Sequence, residues 1–225
     1  MNVKTDVFEG MQYAVRFPEC YTEGEKYPVI LFLHGAGTRG EDIANITKHS
    51  FLRRPDQWPD FKFIIVAPLC HENTWFDLFE RLKRFSRYLA EQDFADPGRI
   101  YLTGNSMGGY GTWQLAMSIP ETFAAIAPLC GGGTYWNAGR LVNVPVWAFH
   151  GGRDKSVFPE ESVKMVNAVN RYGGNARLTI YPENGHNCWS NAYGDPALYD
   201  WFLSHRNANA GEMIDEYQNN SEKFG

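Results

Sequence analysis

Apolar and polar positions along the chain form short runs of two kinds that alternate. Val29 to Leu33, Phe61 to Ala67, Ile100 to Thr103, Phe123 to Ala127, Val144 to Phe149 and Arg177 to Tyr181 are mostly apolar, as expected of strands buried on both faces. Val3 to Phe8 and Gln12 to Phe17 are predicted to open the fold as an antiparallel pair turned at Glu9-Gly10. Between the apolar runs, Phe76 to Gln92 places Phe76, Phe79, Leu82, Phe85 and Leu89 near helical spacing. Met107 to Ser118, Pro159 to Tyr172 and Pro196 to Arg206 are further predicted helices. Eight strands with intervening helices predict an α/β fold of the doubly wound kind, an eight-stranded, mostly parallel sheet flanked by helices. Past Arg206 the chain turns to Asn, Ala, Gly and Glu. Residues 1–206 are therefore expected to be a single domain, and residues 207–225 a loose tail with one helical turn at Met213 to Tyr217.

Composition narrows the class. The 225 residues are 44% hydrophobic and 21% charged, with 15 Phe, 12 Tyr and 7 Trp, which excludes a disordered chain, a fibrous rod and a disulfide-stapled miniprotein. Twenty-six acidic against 21 basic side chains leave a formal charge of -5 with no long run of one sign, so no nucleic-acid partner is expected. The apolar runs are too short to span a bilayer, so no membrane partner is expected either. Asp6 and Glu9 interrupt the first ten residues, which do not resemble a secretory signal; a cytoplasmic protein is expected, or a secreted one whose leader has been removed. Cys20, Cys70, Cys130 and Cys188 lie 50 or more residues apart without a CxxC pair and read as reduced thiols, with Cys70 and Cys130 buried and inert. No solenoid or propeller repeat is present; Ala-Pro-Leu-Cys occurs at 67–70 and 127–130, each time at a strand exit.

The sharpest chemical signal is Gly104-Asn105-Ser106-Met107-Gly108, a GxSxG pattern lying between a predicted strand and a predicted helix. A strained turn there lifts the Ser106 hydroxyl out of the sheet edge and places the Met107 N–H at a helix start, where it could hold an oxyanion. A serine hydroxyl needs a base oriented by a carboxylate, and in sheets of this kind both follow the serine on later strand exits. Asp154 and His186 fit, each just beyond a predicted strand. Glu183, Asp195 and Asp200 are the competing acids, while His34, His49, His71, His150 and His205 read as structural or surface groups. The small residues of His34-Gly35-Ala36-Gly37 would let a second backbone donor approach, with Ala36 the choice and Gly37 its rival. The histidines lack metal-ligand spacing and no phosphate-binding loop is present, so neither metal nor cofactor is expected.

These residues resemble the α/β-hydrolase superfamily, and within it small esterases of the polyhydroxybutyrate depolymerase-like, feruloyl esterase-like and dienelactone hydrolase-like groups. The carrying segments are HGAGTRGED from His34, GNSMGGYGTW from Gly104, HGGRDKSV from His150, NGHNCW from Asn184, and AYGDPALYDWFLSHR from Ala192. The resemblance implies Ser106 as nucleophile, His186 as base, Asp154 as its orienting acid, and the N–H groups of Ala36 and Met107 as oxyanion hole. It implies a serine carboxylic ester hydrolase acting through an acyl-enzyme on short-chain acyl esters or on hydroxycinnamoyl or acetyl esters of carbohydrate. A serine peptidase is the alternative, and a non-catalytic binding protein on the same scaffold a third reading. Met107 stands where the peptidase branch usually has an aromatic residue, which favours esters. Only 16 residues separate Ala127 from Val144, so no large lid is expected. Aromatics on strand exits, namely Trp75, Trp136 beside Tyr135, Phe158 and Trp189, are expected to line the substrate site.

Overall fold

The alternation of the buried strands sets the layers. In β3 (Tyr27–Leu33) every residue is buried. Val29, Leu31 and Leu33 face one apolar cluster, and Ile30 and Phe32 the other. Successive side chains point to opposite faces of a strand, so a strand with no polar face must be covered on both sides. In this computed structural model, which describes residues 3–58 and 60–210, the cover is helical.

Before and after β3 come β1 (Val3–Phe8), β2 (Met11–Arg16), β4 (Ile64–Pro68), β5 (Ala95–Asn105), β6 (Ala125–Leu129), β7 (Val146–Gly151) and β8 (Ala176–Tyr181). They form one sheet in the order β1-β2-β4-β3-β5-β6-β7-β8. The pairs β1/β2 and β2/β4 are antiparallel and all others parallel. The helices are α1 (Ala44–Thr47), α2 (Phe79–Ala90), α3 (Met107–Ser118), α4 (Glu160–Arg171), α5 (Trp189–Ala192) and α6 (Pro196–Leu203). Leu82 and Phe85 of α2, Trp113 of α3 and Met165 of α4 cover one face. Ile46 of α1, Phe51 of a 3-10 segment and Phe202 of α6 cover the other. Each such side chain contributes about 1.5–3 kcal/mol on burial, and slipping a strand by one residue would exchange its two faces.

Strand and helix boundaries differ from the sequence reading where side chains rather than periodicity decide. The helix expected from Phe76 begins at Phe79, because Asp77 accepts from both the amide and the hydroxyl of Thr74 at 2.8 Å and holds a turn there. The strand expected from Phe61 begins at Ile64, after a turn closed by Phe61 N–H on Trp58 O at 3.0 Å. The strand expected from Ile100 begins at Ala95, with a bulge across Asp96-Pro97-Gly98: Tyr27 opposes Ala95 while Val29 already opposes Ile100. Asp96 fills the bulge, accepting from Gly98 N–H at 3.0 Å and pairing with Arg99 and Arg206. The last helix ends at Leu203 rather than Arg206, and Arg206 is drawn to that carboxylate. Asn207 N–H donates to Gly98 O at 2.9 Å, so the residue after Arg206 is tied to the body rather than loose. The helical turn expected at Met213 to Tyr217 lies outside the described residues. The β6–β7 connection holds a 3-10 helix, Tyr135–Leu141, and no inserted lid. Among the described residues no helix is long and apolar enough to cross a membrane.

Two histidines are built in as neutral rings. His34 Nδ1–H donates to Gly35 O at 2.7 Å while Nε2 accepts from Cys70 N–H at 3.0 Å. His49 Nδ1 accepts from Phe51 N–H at 3.2 Å and caps the 3-10 helix Ser50–Gln57. Burial pushes both down to about 4, from an ordinary 6.5. The unfolded chain therefore takes up these protons at higher pH than the folded one. Their contribution is complete above the unfolded value and is lost as pH falls from about 6.5 towards and past 4. The urea midpoint is expected to fall between pH 7 and pH 5, and to fall less in His49→Asn; equal slopes in parent and variant would contradict the assignment for His49.

Candidate active site

At the end of β5 the chain reverses into α3 through Ser106, whose backbone sits at φ 55° and ψ -118°. A side-chain-bearing residue held there costs on the order of 1–3 kcal/mol, so neighbouring packing must impose it. Ser106 N–H donates to Leu129 O of β6 at 2.9 Å, and Tyr110 N–H donates to Ser106 O at 3.0 Å in the first turn of α3. On the other side α3 lies directly on β3, and a Cβ on Gly108 would stand 1.8 Å from Leu33 O. Glycine at that position is what lets strand and helix meet closely enough to force the turn.

His186 follows β8 and Asp154 follows β7. Asp154 can only accept, so His186 Nδ1–H donates to its Oδ2 at 2.7 Å, leaving Nε2 to accept the Ser106 hydroxyl proton at 2.8 Å. The two loops are locked to each other by backbone contact: Arg153 N–H donates to Asn184 O at 2.8 Å, and a Cβ on Gly151 would stand 2.0 Å from Gly185 O. Burial of Asp154 opposes its charge, but the bond from His186 and those from the Val157 and Ser156 amides outweigh it and hold the carboxyl below the usual range. Those amides reach Oδ1 at 3.0 and 2.8 Å. The competing acids are engaged elsewhere or lie on the surface: Glu183 with Arg153, Asp195 as the cap of α6, and Asp200 exposed on α6.

Ala36 and Met107 each supply the first amide of a helix, a 3-10 turn (Ala36–Thr38) and α3, and such amides have no acceptor within their own helix. The backbone at Gly35 packs against Asn105 and Ser106, bringing the Ala36 loop beside the serine. Gly37 is the second residue of the same 3-10 turn. Arg39 ties the loop down, donating from Nε to Ala36 O at 2.9 Å and from Nη1 to Asn73 O at 2.5 Å.

Of the four aromatics expected at the site, two stand beside it and two do not. Trp189 packs edge-on against the His186 ring, centroids 5.4 Å apart at 89°. Phe158, exposed by 64%, directly follows the turn that wraps Asp154. Trp75 is instead fully buried, lying with Leu33 over the bare Gly111 of α3, with Nε1–H donating to His34 O at 2.9 Å. It braces the Ala36 loop from below. Trp136 is exposed but on the flank: Tyr172, at the far end of α4, donates to Trp136 O at 3.4 Å. The nearby Thr134 meets Gln114, eight residues beyond Ser106, about 12 Å along the helix axis. The chain leaving β6 turns down alongside α3 instead of staying at the strand exits, which no local pattern announces.

Three groups near the site were read from sequence only as structural or inert. Cys130 donates to His186 O at 3.1 Å, and its sulfur lies 2.8 Å from that of Cys188, whose thiol is pushed up by this neighbour and by burial. His150 is fully buried against Asp154. Ligand atoms of Cys130, His150 and Asp154 lie within 4.8 Å of one another, a spacing that could hold a metal ion. Each already serves a protein hydrogen bond, and a metal there would draw Asp154 from His186.

A sheet of this order carrying serine on a strand-to-helix elbow, with acid and histidine on the last two strand exits, is the α/β-hydrolase fold. Residues 63–211 match the dienelactone hydrolase family, and the chain belongs to that family. It is 27% identical over 169 residues to a Salmonella typhimurium protein named "Putative carboxymethylenebutenolidase", a match covering 71% of this chain and 55% of that one. The chain thus spans about half the length of the curated relatives it matches. A solved thermostable esterase is 29% identical with a TM-score of 0.73, covering 91% of this chain and 62% of that one. A ferulic acid esterase shares the fold at 16% identity and a TM-score of 0.66, covering 88% and 94%.

The elbow yields a stability prediction. Gly108→Ala is expected to lower the unfolding free energy by about 3 kcal/mol or more, since backbone on both sides must move. Urea denaturation measures this, and a loss below about 1 kcal/mol would show that β3 and α3 can separate freely.

Proposed function

We propose that this protein is a serine hydrolase of carboxylic esters, with residues 1–206 as its catalytic unit. The unbroken hydrogen-bond relay from Ser106 Oγ through His186 to buried Asp154 carries the reading. Ser106 Oγ attacks the ester carbonyl carbon as His186 Nε2 takes its proton, and the carbonyl electron pair moves onto oxygen. The Ala36 and Met107 amides receive that oxyanion, and Asp154 balances the imidazolium from a position fixed by its own backbone donors. Collapse expels the alkoxide, which takes the proton from His186, leaving an acyl-Ser106. Water, deprotonated by the same imidazole, then releases the acid and restores the serine.

Short-chain acyl esters and hydroxycinnamoyl or acetyl esters of carbohydrate are the proposed substrates. Support comes from the short β6–β7 connection, which leaves room for a bulky alcohol, and from Trp189 and Phe158 beside the triad, which suit an aromatic or sugar ring. The names of the esterase relatives point the same way.

Ser106→Ala is expected to lower kcat/KM for p-nitrophenyl acetate by about a thousandfold or more with an unchanged melting temperature. Undiminished turnover would remove Ser106 from the mechanism. A graded set of acetyl, butyryl, octanoyl and feruloyl esters, run beside a peptide anilide, reports the pocket. Acetyl and feruloyl esters are expected to lead, and a preference for the anilide would replace the esterase reading by a peptidase.

A further inference from the structure

Among the described residues, the fully buried His150 is the titratable ring closest to the proposed triad that its chemistry leaves unused. It is the second-to-last residue of β7, just ahead of the turn that presents Asp154. Its Nε2 lies 2.9 Å from Val157 O, and because a carbonyl can only accept, Nε2 carries a hydrogen. The same N–H edge stands 3.3 Å from Asp154 Oδ2, the oxygen that also receives His186 Nδ1 at 2.7 Å. Two imidazoles therefore converge on one carboxylate oxygen, while two amides of the turn hold the other.

The far side of the ring is held as well. Nδ1 lies 2.7 Å from Ser162 Oγ in the first turn of α4, and that hydroxyl lies 3.0 Å from Gly131 O after β6. With the hydroxyl proton on Gly131 O, Nδ1 must carry a hydrogen and the ring is an imidazolium facing Asp154. With the proton turned to Nδ1, the ring is neutral. Either state keeps the hydrogen on Nε2. The titratable groups around the ring are Asp154 on its own loop, Cys130 after β6, and His186 and Cys188 after β8. Tyr110 of α3 and Glu161 of α4 lie beyond them, Glu161 being paired with Lys164.

We infer that His150 is a positioning residue for Asp154: it holds the 154–157 turn from inside through Val157 O and divides Oδ2 between two imidazoles. This rests on the proposed Ser106–His186–Asp154 relay. Through Asp154, His150 sets how much of the carboxylate's charge His186 receives, and so the pH at which the Ser106–His186 pair becomes active.

The test is p-nitrophenyl acetate hydrolysis against pH for the parent, His150→Leu, His150→Gln and Ser106→Ala. His150→Leu is expected to lower kcat about 10- to 100-fold with KM within about twofold. It is also expected to move the acidic limb of the kcat/KM profile to higher pH by about half a unit or more, because Oδ2 then faces His186 alone. His150→Gln, whose amide N–H can reach Val157 O, is expected to recover most of kcat. An unmoved acidic limb in both variants reduces His150 to packing and overturns the inference, whatever happens to kcat. Side-chain 1H–15N correlation of the parent decides the matter if His150→Leu does not fold: a hydrogen on His150 Nε2 is expected, and a bare Nε2 overturns the inference. Ser106→Ala separates the two levels. If it remains active the triad reading fails, whereas an inactive Ser106→Ala beside parent-like His150 variants defeats this inference alone.

Discussion

A β3 carbonyl pressed against the first turn of α3 is the constraint on which the site depends. Leu33 O lies where a side chain at Gly108 would be, so helix and sheet meet backbone to backbone and the connecting residue has nowhere to relax. Ser106 is held at positive φ by the β6 carbonyl on one side and α3 on the other, and its hydroxyl is carried above the strand ends. The Ala36 loop follows directly from β3, so the contact that strains the serine also brings the proposed second donor, the Ala36 amide, towards it. Strain and positioning are one event: the hydrophobic burial of strands on both faces holds closed a turn that costs energy locally.

The same logic recurs between the last two strand exits. Gly151 lets the Asp154 and His186 loops touch through their backbones, so the acid and the imidazole are set by main chain rather than by long flexible side chains. Asp154 is buried, which opposes its charge, yet the imidazole and two amides leave it more acidic than an ordinary carboxyl. A desolvated carboxylate with several fixed donors is a strong and rigid partner for an imidazole, and water would weaken both qualities. His150 lies just behind these donors, 3.3 Å from Asp154 Oδ2 and bonded to Val157 O of the same turn.

Much of the fold was legible because the runs of Val, Ile, Leu and Phe are long enough to mark buried strands, and because Gly104, Ser106 and Gly108 sit at a strand-to-helix junction. All eight strands and the four longer helices stand where periodicity put them, with shifts at their ends. Those shifts have local causes that periodicity cannot see: Asp77 binding Thr74, the turn closed by Phe61, and the Asp96 bulge. The aromatic positions were harder. Trp75 and Trp189 look alike in sequence, each on a loop after a strand, yet one fills a slot left by Gly111 and the other flanks His186. Trp136 left the rim because the chain after β6 runs down α3.

By itself, the sequence determined the order of strands and helices and nominated a serine, an acid and a histidine, because burial periodicity and turn chemistry act over a few residues. Distances between groups 32 and 80 residues apart were decided only by the tertiary structure, which joins Ser106 to His186 and His186 to Asp154. It also decided that His150, read from sequence as a structural ring, stands 3.3 Å from the oxygen that His186 bonds, and that Trp75 braces rather than lines the site. The physical reason is that a side chain's role depends on what surrounds it in three dimensions, and those neighbours come from distant strands brought into register by the packing of the whole sheet.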